Sequence, residues 1–178
     1  MIVQKFRHRL CIISLFCGLM NNIDYFVFQP GTVDSNDFLH FLKETDDLTM
    51  PCLSSRVNIK EYAKKVVDNA VMFIAKKGDD WIGVEAVYFN EYPNFSYNTI
   101  LRVKKEFQNN SSVGIELMLM HKKYLKEHRT KGLRFAIRKS NKALLNYHLK
   151  TGGKIISEHT YPGTSIVEVV MEKVFIND

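Results

Sequence analysis

The stretch from Leu133 to Gly153, LRFAIRKSNKALLNYHLKTGG, decides the fold of this chain. Its first residues predict a short strand, and Ser140 or Asn141 can then cap a helix with its side chain. The helix runs from about Lys142 to Lys150. Gly152 ends it, because glycine adopts a left-handed backbone without steric cost. The stretch therefore predicts a strand, a tight turn and a short capped helix.

A second strand–loop–helix unit precedes this stretch. A strand over about Tyr97–Val103 leads through the polar loop Lys104–Ser112 into a long helix from about Val113 to His128, which we expect Gly132 to close. Free N–H groups and the positive end of the helix dipole favour an anion at such a helix start. An ordinary capped helix start has the same pattern. The small residues suited to an anion cradle are Asn109, Asn110, Ser111, Ser112 and Gly114.

Charge is distributed unevenly along the 178 residues, whose formal net charge is +6. Leu101–Lys154 contains fourteen Lys or Arg against three acids, whereas Asn21–Val57 is acidic. The basic part of the chain can attract an anion. Nucleic acid, anionic lipid and a phosphorylated cofactor all remain candidates on charge alone.

The remaining elements give an α+β order. Runs at Val71–Ala75 and Trp81–Phe89, joined by a Gly78 turn, predict a hairpin, and with the Tyr97–Val103 strand they should form an antiparallel meander. The predicted order is β-α-α-β-β-β-α-β-α-β-β. The other predicted elements are a strand at Asp24–Phe28, helices at Ser35–Thr45 and Asn58–Ala70, and strands at Lys154–Glu158 and Ile166–Lys173.

Residues 1–22 combine a basic start with the apolar run Leu10–Met20, which is too short to span a bilayer as a helix. An extension from an upstream start codon, a packed element of the domain and a signal peptide remain open. We expect residues 23–178 to form a single domain. Cys11, Cys17 and Cys52 lack zinc-ligand spacing and fit small buried residues in a reducing compartment.

The spacing within the opening stretch resembles the GNAT superfamily of acetyltransferases. That family typically shows Asn, a small or apolar residue at plus three, Tyr at plus seven and Gly-Phe at plus eleven and twelve. This chain has Asn141, Leu144, His148, Gly152 and Gly153 at those offsets. The order of elements also fits from about Asp24 to the end. The resemblance implies an α/β/α sandwich with a mixed, mostly antiparallel sheet of about six to seven strands flanked by helices.

The resemblance also implies acetyl-CoA as co-substrate and no metal. The main chain of Leu101, Arg102 and Val103 would hydrogen-bond the pantetheine arm, and Asn141 would contact the cofactor near its reactive end. Basic residues such as Lys122 or Arg138 could meet the 3′-phosphate. The pyrophosphate would be held by Asn109, Asn110, Ser111, Ser112, Val113 and Gly114.

The cofactor loop departs from the family pattern, since Ser112 replaces a glycine in Asn109-x-x-Ser112-x-Gly114. His148 stands where a Tyr usually protonates the leaving thiolate, with Tyr147 beside it. Neighbours on a helix point about 100° apart, so only one can face the sulfur, and the register favours His148.

The catalytic base is less defined by the sequence. Glu85 is a candidate because it interrupts the apolar strand Trp81–Phe89, on the same face as Gly83 and Val87. Glu91 is a second candidate, and a bound water could serve instead. An ordinary solvated sheet residue would fit Glu85 equally well. The remaining histidines, scattered as they are, do not suggest a metal site.

Three functions remain in competition. The first is acyl transfer from acetyl-CoA to an amine or hydroxyl of a small-molecule acceptor by direct attack on the thioester. Residues 51–65 resemble a bacterial polysaccharide-biosynthesis subgroup, which suggests an amino sugar or sugar nucleotide. The second is a non-catalytic CoA-sensing or scaffold module of the same fold. The third, a nucleic-acid binder, lacks any recognisable reading motif. We expect a cytoplasmic monomer or homodimer that binds neither nucleic acid nor membrane.

Overall fold

The computed structural model describes residues 4–6, 23–92, 94–108, 112–161 and 163–175, without the side chains of 4–6, 90 and 91. Four helices are present in these ranges: α1 Ser35–Glu44, α2 Ile59–Asn69, α3 Val113–Glu127 and α4 Lys142–Lys150. The strands are β1 Gln4–Phe6, β2 Ile23–Phe28, β3 Val71–Lys77, β4 Asp80–Tyr92, β5 Phe95–Val103, β6 Gly132–Arg138, β7 Lys154–Thr160 and β8 Val167–Val174. Single 3-10 turns lie at Asp46–Leu48, Leu53–Ser55 and Lys105–Phe107.

The strands form one mixed sheet in the order β1-β2-β3-β4-β5-β6-β8-β7. The pair β5–β6 is parallel, whereas β1–β2, β2–β3, β6–β8 and β7–β8 are antiparallel. Two-residue connections join β3 to β4 and β4 to β5, a length that allows only antiparallel hairpins. The expected fold class is therefore confirmed, with seven strands from Ile23 onward and β1 as an eighth.

The chain divides into two compact units, and the divisions fall within β4 and β5. The first unit runs up to Ala86 and includes Ile100–Met120. Its helices α1 and α2 begin at the side-chain caps Asp34 and Asn58. Asn58 caps α2 at the predicted start of that helix. Ser35 or Asn36 was expected to cap α1, but its cap is Asp34, whose carboxylate accepts the Asn36 N–H. Apolar residues of both helices and of β3 are buried in this unit.

The second unit comprises Val87–Thr99 and the residues from His121 onward. Its core packs β6 and β8 against α4, through Phe135, Ile137, Leu145, Val169 and Met171. β7 lies at the edge of the sheet, and all seven of its side chains are exposed.

Two local predictions were wrong. The strands were expected to end at Phe89 and to resume at Tyr97, but β4 continues to Tyr92 and β5 starts at Phe95. Gly132 does not close α3, because Arg129 takes the left-handed conformation at φ 53° and Thr130 N–H bonds to the Leu125 carbonyl. Gly132 instead opens β6, where a Cβ would lie 2.2 Å from the backbone oxygen of Lys173. Glycine is required at position 132 because β6 and β8 approach closely there, and not because a helix ends there.

Candidate active site

The end of β5 carries the segment predicted to bind a pantetheine arm. The parallel pairs between β5 and β6 run from Phe95 to Asn98, and β5 continues to Val103 beyond this ladder. Leu101 is exposed, and the Val103 carbonyl accepts a hydrogen bond from the Gln108 side chain at 2.8 Å. Main-chain groups of Leu101–Val103 thus lie outside the β5–β6 ladder, as a strand-like ligand arm requires.

Arg102 contributes its main chain to this segment, but its side chain serves another purpose. The side chain is 7% exposed and donates to the Thr45 carbonyl and the Thr49 hydroxyl, both at 3.0 Å. Burial lowers the pKa of the guanidinium, partly offset by Tyr62 and Asp46. Arg102 therefore fixes the segment that follows α1.

Lys104, which directly follows β5 and lies two residues after Arg102, makes ion pairs in the same region. Its ammonium group lies 3.0 Å from Glu44 and 2.8 Å from Asp80. Burial lowers the pKa of Lys104, but hydrogen bonds to the two carboxylates outweigh it and raise the pKa. The end of β5 is thus tied to the end of α1 and the start of β4.

The start of α3 is pressed close against the sheet. Ser112 precedes the helix, and its carbonyl accepts the Glu116 N–H at 2.8 Å. A Cβ on Gly83 would lie 2.8 Å from Val113 Cγ1 and 3.2 Å from Leu117. Glycine at 83 therefore lets the first turn of α3 approach β4 closely.

The residues predicted to cradle a pyrophosphate are only partly described. Ser112 is exposed and Val113 is buried, and a Cβ added at Gly114 would meet only Val103, at an ordinary 3.6 Å. Asn109, Asn110 and Ser111 lie outside the described residues. The first-turn N–H groups of α3 have no carbonyl within their own helix, which suits an oxyanion.

An acidic residue stands in that first turn. Glu116 is half-buried. The pKa of Tyr25 is raised to about 12, because the Tyr25 hydroxyl is itself partly buried and because the Glu116 charge is nearby. A carboxylate here stabilises the helix dipole, but it also opposes a second negative charge nearby. The anion site predicted at this helix start was based on the free N–H groups and did not include the Glu116 charge.

Glu85 occupies a different environment from a solvated sheet residue. It is 1% exposed, on the β4 face that includes Gly83 and packs against the first turns of α3. The reading as a solvated sheet residue is therefore wrong. The side chain of Glu91, the second candidate base, lies outside the described residues.

In the second unit, Asn141 is the N-cap of α4. Its side-chain oxygen accepts the Leu144 N–H at 3.2 Å, and its carbonyl accepts the Leu145 N–H at 3.0 Å. The cap uses only the side-chain oxygen, so the amide NH₂ group of Asn141 remains a potential donor. The helix predicted at Lys142–Lys150 has those bounds.

His148 and Tyr147 face different surroundings on α4. The His148 ring is half-buried, 4.5 Å from the Phe135 ring, while Tyr147 is 53% exposed. The two rings meet edge to face. Burial and the nearby Lys173 lower the pKa of His148, which favours the neutral imidazole.

The end of α4 is closed by the two glycines that the sequence singled out. Gly152 takes φ 90°, and the Gly153 N–H bonds to the His148 carbonyl at 2.8 Å. A Cβ on Gly153 would lie 2.9 Å from that same carbonyl oxygen and 3.1 Å from Met171. Glycine in place of the family's Phe thus suits the close packing behind His148.

The predicted residues divide between the two units. Glu85, Leu101–Val103 and Ser112–Gly114 belong to the first, and Asn141, Tyr147 and His148 belong to the second. Nothing in the sequence indicated that Lys173 lies near His148. Only the β6–β8 register could have revealed it, and a single sequence does not define that register.

In the described ranges, no group of three or more His, Cys, Asp or Glu side chains could hold a metal ion. The same part of the chain contains no helix with the length and hydropathy needed to cross a bilayer.

Comparison with known proteins shows which solved structures have a similar fold. No protein-family model and no curated protein matches the chain. Among solved structures, the ribosomal-protein-S18-alanine N-acetyltransferase of Escherichia coli matches with TM-score 0.64 at 14% identity, over 84% of this chain and 93% of that one. The PaiA N-acetyltransferase of Thermoplasma acidophilum, in complex with coenzyme A, matches with TM-score 0.61 at 16% identity, over 86% and 99%.

A protein assigned as a streptothricin acetyltransferase from Bacillus anthracis, in complex with acetyl coenzyme A, matches with TM-score 0.51 at 21% identity. That match covers 61% of this chain and spans 64% of the length of its neighbour. The chain therefore has the fold of the GNAT acetyltransferases.

Proposed function

We propose that this protein transfers an acetyl group from acetyl-CoA to an amine or hydroxyl of a small acceptor, by direct attack on the thioester. The proposal rests mainly on the path that β5 takes. It continues past its four pairs with β6 and leads toward the N-terminus of α3. Extended main chain followed by free helix N–H groups suits a ligand with a polar arm and a pyrophosphate.

The residues of the first unit would bind and orient the cofactor. Main-chain groups of Leu101–Val103 offer donors and acceptors to the pantetheine amides, in the manner of an added strand. N–H groups at the start of α3, with Asn109–Ser111 before them, would hold the pyrophosphate. The bound thioester supplies the activated acetyl group.

Residues of the second unit would act near the thioester. The lowered pKa of His148 favours its neutral form, which keeps one ring N–H that can donate to the departing thiolate. Asn141 can donate its amide group near the same end. The proton of the attacking group leaves to Glu85 or to water.

A pair of variants on α4 tests this assignment. His148→Phe removes the ring N–H and keeps the aromatic packing on Phe135, whereas Tyr147→Phe removes the neighbouring hydroxyl as a matched control. Acceptor-dependent release of free CoA thiol should fall at least about tenfold in His148→Phe and stay near wild type in Tyr147→Phe. The reverse order would assign the role to Tyr147, and Glu85→Gln would show whether that carboxylate is the base.

A non-catalytic CoA sensor is the second candidate function. The specific observations that favour it are Ser112 in place of a loop glycine and the Glu116 carboxylate in the first turn of α3. A sensor would bind acetyl-CoA yet release no thiol with any acceptor amine. The amino-sugar acceptor and the cytoplasmic location both remain predictions.

A further inference from the structure

Basic groups from different elements of the second unit meet on one face of β6 and β8. Phe135 pairs with Met171 across these strands, and Leu133 pairs with Lys173. Alternate residues of a strand share a face, so Lys173 lies on the same side as Met171, about 7 Å further along. The His148 ring covers Phe135 on that side. Lys173 therefore reaches the surroundings of His148.

Lys122 brings a second ammonium group to this face from α3. Its Nζ lies 5.7 Å from the ring centroid of Phe175, two residues beyond Lys173. The Phe175 N–H is bonded to the Lys131 carbonyl at 2.9 Å, which holds the end of this segment in place. Burial and the Lys122 charge lower the pKa of Lys173, consistent with two cations held close together.

No carboxylate among the described residues pairs with the lysines of this cluster. In the described part of the second unit, neither Lys122 nor Lys173 forms an ion pair with a carboxylate, in contrast to Lys104 with its two partners. The Nδ1 atom of His148 is buried, and no described group lies within hydrogen-bond distance of it. Two lysines thus lie near an imidazole, and none of the three has a carboxylate partner among the described residues.

We propose that Lys122, Lys173 and His148 form a subsite for an oxyanion, a phosphate or carboxylate, carried by the acceptor substrate. The assignment to the acceptor rests on the proposed function, in which His148 lies at the thioester. The 3′-phosphate and the sulfur are at opposite ends of coenzyme A, separated by the whole pantetheine arm. An anion beside His148 is therefore not the cofactor's phosphate.

Inorganic phosphate is the simplest probe of the subsite. We expect it to shift the His148 imidazole NMR signals of the full chain saturably, in a titration against chloride at constant ionic strength. Lys173→Met should weaken this binding at least about tenfold, because a hydrogen bond to a charged group is lost. Lys173→Arg should retain it. Lys60→Met, an exposed lysine on α2, is the matched control and should bind like wild type.

Absence of a saturable shift would overturn the subsite, and so would equal phosphate affinity in wild type and Lys173→Met. Far-UV circular dichroism of each variant confirms that it is folded, so a loss of affinity is not a loss of structure. Lys122→Met provides a second, independent change in the same direction.

Competition experiments distinguish an anionic group of the acceptor from the phosphate of the cofactor. Glucosamine 6-phosphate should displace phosphate from His148, and glucosamine should not. Displacement by CoA but not by 3′-dephospho-CoA would place the cofactor's phosphate there and overturn the acceptor assignment. If phosphate binds as expected while acetyl-CoA fails to bind, the subsite stands and the proposed acetyl transfer fails.

Discussion

Replacing Gly83 by alanine should disturb the start of α3 more than any exposed substitution on that helix. The added Cβ would lie 2.8 Å from Val113 Cγ1. Non-bonded carbons prefer about 3.5–4.0 Å, so Val113 or the first turn must move by about 0.7 Å. Leu117, at 3.2 Å, limits the room for that movement.

The expected magnitude follows from overpacking. Extra carbon in a well-packed core costs about 1–3 kcal/mol, so Gly83→Ala should lower the free energy of unfolding by about 2 kcal/mol. The shift also displaces the N–H groups proposed to hold the pyrophosphate. We therefore expect acetyl-CoA affinity to fall by about tenfold, as a small misplacement of binding groups allows.

Urea unfolding and titration calorimetry measure the two effects separately. Val113→Ala removes the atom that the new Cβ would meet, so the double variant with Gly83→Ala should recover part of both losses. Such coupling between neighbours is the signature of a direct contact, with Val113→Ala alone as the control. A Gly83→Ala protein as stable as wild type, with unchanged affinity, would refute the reasoning.

Three further predictions concern other parts of the chain. Gly132→Ala should destabilise the fold by at least about 2 kcal/mol in urea unfolding, because the Cβ meets the backbone oxygen of Lys173 and a backbone cannot yield cheaply. Arg102→Met should cost about 2–3 kcal/mol by the same measurement, because the buried Thr45 carbonyl loses its charged donor. Stability should decline as pH falls below about 6.5, since the pKa of His148 is lowered in the folded state and the unfolded chain takes up the proton first. The slope of unfolding free energy against pH should be shallower in His148→Phe, and an identical slope would contradict this origin.

Much of the fold could be predicted because local signals agreed with it. Asn141 caps α4 and Gly152 ends it as the sequence indicated, since both act through their own backbone and nearest neighbours. The Gly78 turn between β3 and β4 was predicted for the same reason. These features need no knowledge of distant residues.

The failures share one physical cause, which is contact between residues far apart in sequence. The role of Gly132 depends on the backbone of Lys173 in another strand. The end of α3 at Glu127 is a separate case, because Arg129 takes the left-handed conformation there without a glycine to signal it. Glu85 is buried although its strand pattern also fits a solvated residue, and the hydrogen-bond partners of Arg102, Thr45 and Thr49, lie more than fifty positions away. Strand register and helix placement decide such contacts, and periodicity along one segment does not contain them.

Binding of a CoA thioester is the property on which the proposed function depends. Isothermal titration of the full chain with acetyl-CoA tests it most directly, with a melting curve on the same samples. We predict saturable heat with one molecule bound per chain and a melting temperature that rises with ligand concentration above Kd. A folded protein that gives no heat and no shift with acetyl-CoA or CoA at about 1 mM, which is about three orders of magnitude above a Kd of about 1 μM, would contradict the claim.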